Sequence, residues 1–329
     1  MIKNQYTSLK VVFLFFIFFI SIFLGIMFGS TGLLVGDVVE VKELLFLRLP
    51  RVVLALLTGG VLAICGAALQ SILENPLAEP FLLGVSGGSV LGGTIFIVLS
   101  GLFGDSIFGI RFFSFVGAIG ALILLLYVNQ RQGVVNPINI LLTGVIFNGF
   151  VSSIVTIFKA FIQPVKLQKI TLWLSGYIPY LSIRDMLFEI IVIAIVGILL
   201  ILEAPKLNIL ALGEDIAKTS GINVDVLRKK IFIYTSILTG IIVSLTGLIG
   251  FVGLIVPQML RFMGLINNKI LIPLSFFVGG SFVIMSDLFA RVVSGLYGFE
   301  PPISAITAVV GCPVFVILLR DYYRERGGG

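Results

Sequence analysis

The sequence predicts an all-α polytopic membrane protein with about ten transmembrane helices in two inverted five-helix repeats. Of the 329 residues, 58% are apolar and only 12% are charged. The apolar residues form runs of roughly 18 to 25, the length that spans a bilayer as a helix. Helices are favoured because each pairs its own backbone groups in lipid. A short sequence pattern that occurs twice predicts that the two halves are repeats of each other.

The apolar runs set the predicted spans in chain order. They lie near residues 11–35, 50–73, 84–101, 111–128, 138–160, 185–202, 230–249, 250–263, 270–291 and 302–320. The first run is longer than a signal-peptide core, so we expect it to be retained as a span. The whole chain, 1–329, is predicted to form one transmembrane domain, and the glycines at 327–329 are set aside as a possible cloning remnant.

Charged residues at the two ends of the chain predict its orientation. An even number of spans places both termini on one side. Lys3 and Lys10 at the start, and Arg320, Arg324 and Arg326 at the end, favour the cytoplasm. The remaining Lys and Arg residues add only a mild bias, so the arginines on the outer side need another explanation.

The repeat rests on a short pattern that occurs twice. Leu57–Gly59 with Gly66 recurs as Leu238–Gly240 with Gly247, 181 residues later. Five spans in each half invert the second half, an arrangement common among transporters. The predicted repeats cover about 1–165 and 166–326. Chance similarity between apolar segments is the alternative explanation.

The composition argues against several function classes. The net charge of +6 comes mostly from residues between apolar runs, where they orient spans and meet lipid headgroups. We therefore expect no nucleic-acid partner. The chain has no histidine, and Cys65 and Cys312 each lie inside an apolar run. We therefore expect no metal site, no cofactor and no catalytic residues.

Two segments superficially resemble phosphate-binding loops. The glycine-rich run 84–93 lacks the Lys-Ser/Thr that would complete such a loop, and Gly84, Gly88 and Gly92 instead predict a helix face for close packing. The stretch that ends in Lys218-Thr219 has Leu212 and Ala217 at the two positions where the motif needs glycine. If ATP drives this protein, another chain must hydrolyse it.

Small and polar residues recur along one face of the fifth and tenth predicted spans. Asn148, Ser152 and Thr156 lie at four-residue intervals, and Ser304 and Thr307 are at helical spacing in the tenth span. Such stripes either line a pathway or join helices. We expect them to line a narrow, weakly polar pathway.

Few ionisable residues lie inside the predicted spans. Asp287 and Arg291 are four residues apart and can pair on one helix face. Glu189 is the other deep carboxylate. An ion-coupled secondary transporter, the main alternative, would need such groups for coupling.

The longest polar segment predicted on the cytoplasmic side runs from about residue 203 to 230. Its helix-forming residues predict one or two short surface helices that could dock a partner. An ordinary solvated loop is the alternative.

Recognisable motifs extend across nearly the whole chain. In the first half they are residues 48–51, 65–70, 74–80 and 83–87, and in the second half they are residues 212–214, 250–257, 286–291 and 300–302. Together these motifs resemble the FecCD family of permeases, which belong to ABC importers for iron–siderophore complexes, haem and cobalamin.

The resemblance implies partners and a location. It implies a homodimer or a pair of related permeases, two ATPase subunits beneath it, and an extracytoplasmic substrate-binding protein. The pathway would run between the permeases, lined mainly by the fifth and tenth spans. The location implied is a bacterial or archaeal cytoplasmic membrane.

The resemblance also assigns roles to residues. Arg48, Arg51 and Arg291 match outer-face arginines that receive acidic residues of the binding protein. Asn75 and Leu77 match the cytoplasmic gate.

The part of the polar segment 203–230 around Gly213 and Glu214 matches the family's coupling helices, which fit into the ATPase. Its matching residues are Gly213, Glu214, Ala217 and Gly221. Gln258 departs from the family, which usually has His there, and 137–138 departs near the inner mouth. The cargo stays open: iron chelates or haem dominate the family, whereas residues 74–76 lean towards corrinoids.

Overall fold

The computed structural model describes residues 2–29, 32–33, 38–104, 106–131, 134–135 and 137–327. Its helices are α1 (Ile2–Met27), α2 (Val38–Ile72), α3 (Val85–Phe103), α4 (Ile107–Asn129), α5 (Pro137–Phe161), α6 (Pro164–Leu174), α7 (Leu187–Leu202), α8 (Ala204–Leu210), α9 (Glu214–Thr219), α10 (Val224–Thr246), α11 (Val252–Phe262), α12 (Asn268–Tyr297) and α13 (Ile303–Gly327). Residues 30–31 and 34–35 of the predicted first span, and 328–329 of the glycine triplet, lie outside the described residues.

Short non-helical elements connect some of these helices. The antiparallel pair β1 (Phe28–Gly29) and β2 (Gly32–Leu33) follows α1, and β3 (Gln130–Arg131) and β4 (Val134–Val135) follow α4. Single 3-10 turns cover Pro80–Leu83 and Arg184–Met186.

The ten predicted spans correspond to α1–α5, α7 and α10–α13, which confirms the predicted fold class. Within the described residues, six helical segments are long and apolar enough to cross a membrane by length and composition alone: Ser8–Met27, Val41–Ile72, Ile107–Asn129, Asn139–Phe161, Arg184–Leu210 and Asn268–Tyr297. Three shorter apolar helices are Val85–Gly101, Val252–Phe262 and Ile303–Ile317. The seventh predicted span is α10, whose first two turns carry Arg228, Lys229 and Lys230.

The structure differs from the predicted spans in three places. Helix α1 ends at Met27, where the first β pair begins, and α2 starts at Val38 rather than near residue 50. Helix α6 was not predicted. It begins with Pro164, a favoured first helical residue, and its lysines hide it from a search for long apolar runs.

Helix packing occurs in matched pairs, as an internal duplication requires. Helix α2 packs on α12, and α10, its counterpart in the second half, packs on α4. Likewise α3 packs on α4 and α5, whereas α11 packs on α12 and α13. Helices α2 and α10 also pack on each other at the centre of the bundle.

Glycines 181 residues apart lie at close contacts in the α2–α12 and α10–α4 helix pairs. A Cβ on Gly59 of α2 would lie 2.0 Å from the Gly279 carbonyl oxygen in α12. A Cβ on Gly240, 181 residues later, would lie 2.8 Å from the Ala118 Cβ in α4. The sequence repeat therefore coincides with a repeated packing contact.

Gly88 and Gly92 of α3 make the predicted close backbone contact, with α4, whereas Gly84 lies before the helix with a φ of +77°. A Cβ on Gly88 would lie 2.3 Å from the Gly117 carbonyl oxygen, and one on Gly92 would lie 2.0 Å from that of Phe113. Backbones this close leave no room for side chains. The run is therefore a packing surface.

Candidate transport pathway

Side chains of α5 and α13 meet around one cavity of about 720 Å³. Asn148, Ser152, Thr156 and Ser304, all predicted from the polar stripes, line it. The hydroxyl of Thr156 donates to the Ser152 carbonyl (2.8 Å). The cavity wall is thus weakly polar, with hydroxyls that are partly satisfied by their own helix.

Thr307 does not line this cavity, contrary to the prediction. Its side chain is buried, and its hydroxyl contacts the Gly250 carbonyl at 3.1 Å and the Ser304 carbonyl at 3.0 Å. The loop before α11 occupies the space beside it. Thr307 therefore fastens α13 to that loop.

The side-chain amide of Asn148 has one atom in a hydrogen bond and one atom without a partner. Its Nδ2 donates to the Phe81 carbonyl (2.8 Å), whereas its buried Oδ1 has no hydrogen-bond partner. A Cβ on Gly87 would lie 2.4 Å from that oxygen. Because Gly87 has no side chain, it leaves room for the Asn148 amide, which projects towards the cavity.

Lys159 also lines the cavity and was not predicted. It lies three residues after Thr156 and seven after Ser152, so it continues their helix face. It is the only charged residue among the cavity-lining residues that the structure describes. The sequence signal was present, but the search for small and polar residues passed over a lysine.

The loop after α2 contains the predicted gate residues. The Asn75 side-chain oxygen accepts a hydrogen bond from the Leu77 backbone N–H (2.9 Å), and the Asn75 N–H donates to the Gln70 carbonyl (3.2 Å). Leu77 is 41% exposed. Asn75 thus shapes a tight turn that presents Leu77, whose gate role stays a prediction.

Two side chains tie this loop to α11. Gln258, the departure from the family pattern, donates from Nε2 to the Gln70 Oε1 (2.9 Å) and the Pro76 carbonyl (3.2 Å). Further along, Glu79 accepts from the Phe251 N–H (2.9 Å). Phe251 begins α11 with φ of +70°, an unusual value for a non-glycine residue.

A group of neutral side chains with one arginine joins four helices near the same loop. This amide cluster consists of Ser71, Asn208, Arg261, Asn267 and Asn268. The Ser71 hydroxyl lies 2.9 Å from the Asn268 Oδ1, and Arg261 Nη2 donates to that hydroxyl (3.0 Å). Asn208 of α8 donates to the Asn267 Oδ1 (2.7 Å) and accepts from the Asn268 N–H (2.8 Å).

Arg48, Arg51 and Arg291, the arginine cluster, lie together at the opposite end of α2. The prediction that all three reach the surface is wrong: they are 5%, 1% and 2% exposed. Arg51 Nη2 lies 2.7 Å from the Asp287 Oδ1 and also pairs with Glu300, and its guanidinium lies over the Tyr180 ring.

The other two arginines bond mainly to backbone carbonyls at the end of α1. Arg291 forms the predicted pair with Asp287 (2.9 Å) and donates to the Gly25 and Phe28 carbonyls. Arg48 donates to the Ile26 and Met27 carbonyls. Burial requires partners, and the chain supplies them internally.

The polar segment forms two short helices, α8 and α9, as expected. Gly213 and Gly221 flank α9 with positive φ, and Ala217 is buried. Glu214 pairs with Lys218 (2.9 Å) and Arg228 (2.7 Å). Those hydrogen bonds, from Lys218 first and Arg228 second, lower the pKa of Glu214.

The two cysteines and the two deep carboxylates are the remaining residues that the sequence singled out. Cys65 is buried, Cys312 is exposed, and neither is in a disulfide. Glu189 lies 3.9 Å from Arg111, so both deep carboxylates, Glu189 and Asp287, face arginines. Across the described residues, no group of three or more His, Cys, Asp or Glu side chains could hold a metal ion.

Comparisons with known proteins identify the family of this chain. The profile of the FecCD transport family matches residues 14–321. A probable iron chelatin transport permease of Helicobacter pylori strain 26695 is 34% identical over 285 residues, covering 86% of this chain and 83% of that protein. The vitamin B12 import permease BtuC of Serratia proteamaculans is 36% identical over 278 residues, covering 83% of this chain and 80% of that protein.

A solved structure has the same fold. It is an ABC transporter assigned to the metal-chelate type in an inward-facing conformation, with a TM-score of 0.85 and 30% identity. The match covers 95% of this chain and 99% of the other. The chain is therefore an integral membrane protein and an ABC transporter permease that belongs to the FecCD transport family.

Proposed function

We propose that this chain is the permease subunit that moves an iron chelate, haem or a corrinoid inward, driven by a separate ATPase. The observation that carries this proposal is the cavity of about 720 Å³ on which α5 and α13 converge. Its volume suits a chelate-sized ligand. The alternative of an ion-coupled secondary transporter is set aside, because the family is one of ABC permeases.

The proposed complex follows the family pattern. Two permeases, this chain twice or with a related chain, would face each other across the pathway, with two ATPases below and a binding protein outside. Both termini would lie in the cytoplasm of a bacterium or archaeon. The basic residues at the two ends of the chain support this orientation.

Because the arginine cluster is buried, we propose a different way for it to dock the binding protein. Because Arg51 already pairs with Asp287 and Glu300, an incoming carboxylate would have to replace Glu300, the more exposed of the two. Glu300 lies three residues before α13. We therefore propose that docking exchanges one carboxylate for another next to a pathway helix.

At the opposite end, we propose that α8 and α9 couple the ATPase to the gate. Gly213, Glu214, Ala217 and Gly221 would form the contact. The amide cluster supports the coupling, because Asn208 of α8 bonds to the start of α12. We expect Glu214→Arg to lower uptake relative to ATP hydrolysis.

The test of the pathway is a pair of matched substitutions in the complex reconstituted with its ATPase and binding protein. Ser152 lines the cavity, whereas the exposed neighbouring Ser153 does not. We expect Ser152→Trp to abolish ATP-dependent uptake and Ser153→Trp to retain it, with assembly checked by gel filtration. Full uptake by Ser152→Trp would contradict the proposed pathway, and hydrolysis of ATP by the purified chain alone would contradict the subunit role.

A further inference from the structure

The charge of the cavity distinguishes between the cargo classes that the proposed function leaves open. Lys159 sits in the last turn of α5 and lines the cavity beside Ser152 and Thr156. Within the described residues, no carboxylate lines the cavity and no ion pair involves Lys159. The one charged side chain among the described lining residues is therefore a cation.

Glu79 is a carboxylate that contacts the cavity wall from outside. Glu79 accepts a hydrogen bond from the N–H of Phe251, which lines the cavity, but Glu79 is not itself a lining residue. The other lining groups are hydroxyls, one amide and apolar side chains. They can solvate a ligand but carry no compensating charge.

A lysine at this position has an ordinary explanation and a functional one. Long basic side chains near a helix end often extend to the membrane interface. However, a Lys at the end opposite the basic termini is not favoured by the rule that orients spans. Its alignment with the polar stripe gives it a place in the pathway.

We propose that Lys159 makes the cavity electropositive and that the cargo is a negatively charged metal chelate. This inference rests on the proposed function and narrows it. A neutral corrinoid would gain nothing from the ammonium, whereas an anionic chelate is attracted to a cavity lined by one sign of charge. A second permease copy would add a second Lys159 to the same pathway.

The cavity charge can be measured without any cargo. The full permease in membranes carries Cys312→Ser, to remove the exposed thiol, and Ser152→Cys as a reporter two helical turns from Lys159. Its rates of reaction with anionic and cationic methanethiosulfonates of similar size are compared. We expect Lys159→Gln to lower the anionic-to-cationic rate ratio by about three- to tenfold.

Two further variants test whether the charge of Lys159 causes the change in this rate ratio. Lys159→Arg keeps the charge and is expected to keep the ratio, whereas Lys42→Gln removes an exposed lysine outside the cavity and is expected to leave it unchanged. The same ratio in Lys159→Gln and in the parent would overturn the inference. So would an equal fall in Lys42→Gln.

Uptake then tests the cargo class in the complete complex, with ferric citrate as the anionic probe and cyanocobalamin as the neutral one. We expect uptake of ferric citrate, reduced at least about fivefold by Lys159→Glu but not by Lys42→Glu. Cyanocobalamin uptake that is unchanged by Lys159→Glu would overturn the charge inference and leave the proposed function intact. Uptake of neither probe by the parent complex would count against the proposed function, and the thiol ratio would decide the charge separately.

Discussion

The two ends of the α2–α12 helix pair are joined by different chemistry. At one end, the arginine cluster places Arg51 and Arg291 on the two oxygens of the buried Asp287. At the other end, Ser71 meets Asn268 within the amide cluster, whose bonds are mostly between neutral groups. Ser71 and Asn268 are buried, as are Arg51, Asp287 and Arg291, but only the second group forms a charge network.

The difference in bonding predicts which end of the α2–α12 pair moves. Removing one member of a buried ion pair costs about 3–5 kcal/mol, because the other charge is left unpaired. A neutral hydrogen bond contributes only about 0.5–1.5 kcal/mol. The arginine end should therefore be fixed, whereas the amide end, which adjoins the gate loop and α8, can rearrange at low cost.

The largest expected effect comes from breaking the charged end. Arg51→Met should lower the free energy of unfolding by about 3–5 kcal/mol, because Asp287 loses a partner in a buried site. Denaturant titration in mixed micelles measures this. Glu300→Gln is the matched control: Glu300 is a more exposed acceptor of the same guanidinium, so its loss should be much smaller.

Equal losses for Arg51→Met and Glu300→Gln would contradict the comparison. They would show that the arginine end derives its strength from the exposed pair rather than from Asp287.

A second test addresses the movable end at the gate loop. Asn75→Trp should abolish uptake while the complex still assembles, because the bulky ring would occupy the turn that presents Leu77. Asn75→Asp keeps the acceptor of the Leu77 N–H and should retain most uptake. Uptake assays with assembly measured in parallel distinguish the two, and unchanged uptake with Asn75→Trp would place the gate elsewhere.

A third, smaller effect is expected within the amide cluster. Asn208→Ala removes two neutral hydrogen bonds and should cost about 1–2 kcal/mol of stability. It should also lower uptake per ATP hydrolysed, because the hydrogen bonds from α8 to the start of α12 are lost. Asn223→Ala is the control, since that side chain bonds only locally to the Val226 N–H at the start of α10.

A double-mutant cycle sharpens this test. Asn208→Ala and Ser71→Ala should show an interaction energy in uptake per ATP, since both contact Asn268. Strict additivity would mean that the cluster is structural and does not transmit motion.

The sequence predicted the spans well because lipid imposes a simple requirement on chain length and polarity. Helical spacing also aligned Asn148, Ser152 and Thr156 on one face of α5, and these side chains line the cavity. Thr307 was misplaced because its partner, Gly250, belongs to a loop whose path cannot be inferred from periodicity. Helix α6 was missed because its lysines interrupt the apolar pattern.

The arginine cluster marks the limit of reasoning from one sequence. The Asp287–Arg291 pair was predictable, since four residues separate its members on one helix. The Arg51–Asp287 pair joins residues 236 positions apart, and no local pattern reports it. Charge counting identified these arginines as unusual but could not show that the chain itself supplies their carboxylate and carbonyl partners.

The smallest expected effect separates burial from charge as the cause of the difference between the ends. Glu214 also pairs with two basic groups, Lys218 and Arg228, but its side chain is 41% exposed. Solvent screening should make this network weak. Glu214→Gln should therefore cost only a small fraction of the stability that Arg51→Met costs.

The contribution of Glu214 to stability is expected to decrease as the pH falls. Because Lys218 and Arg228 lower the pKa of Glu214, its contribution is present above the pKa of the unfolded chain and is lost as pH falls through the lower folded-state pKa. Denaturant titrations of the parent and Glu214→Gln should converge at acidic pH and at high salt. A loss as large as that of Arg51→Met would show that charge, rather than burial, makes the arginine end strong.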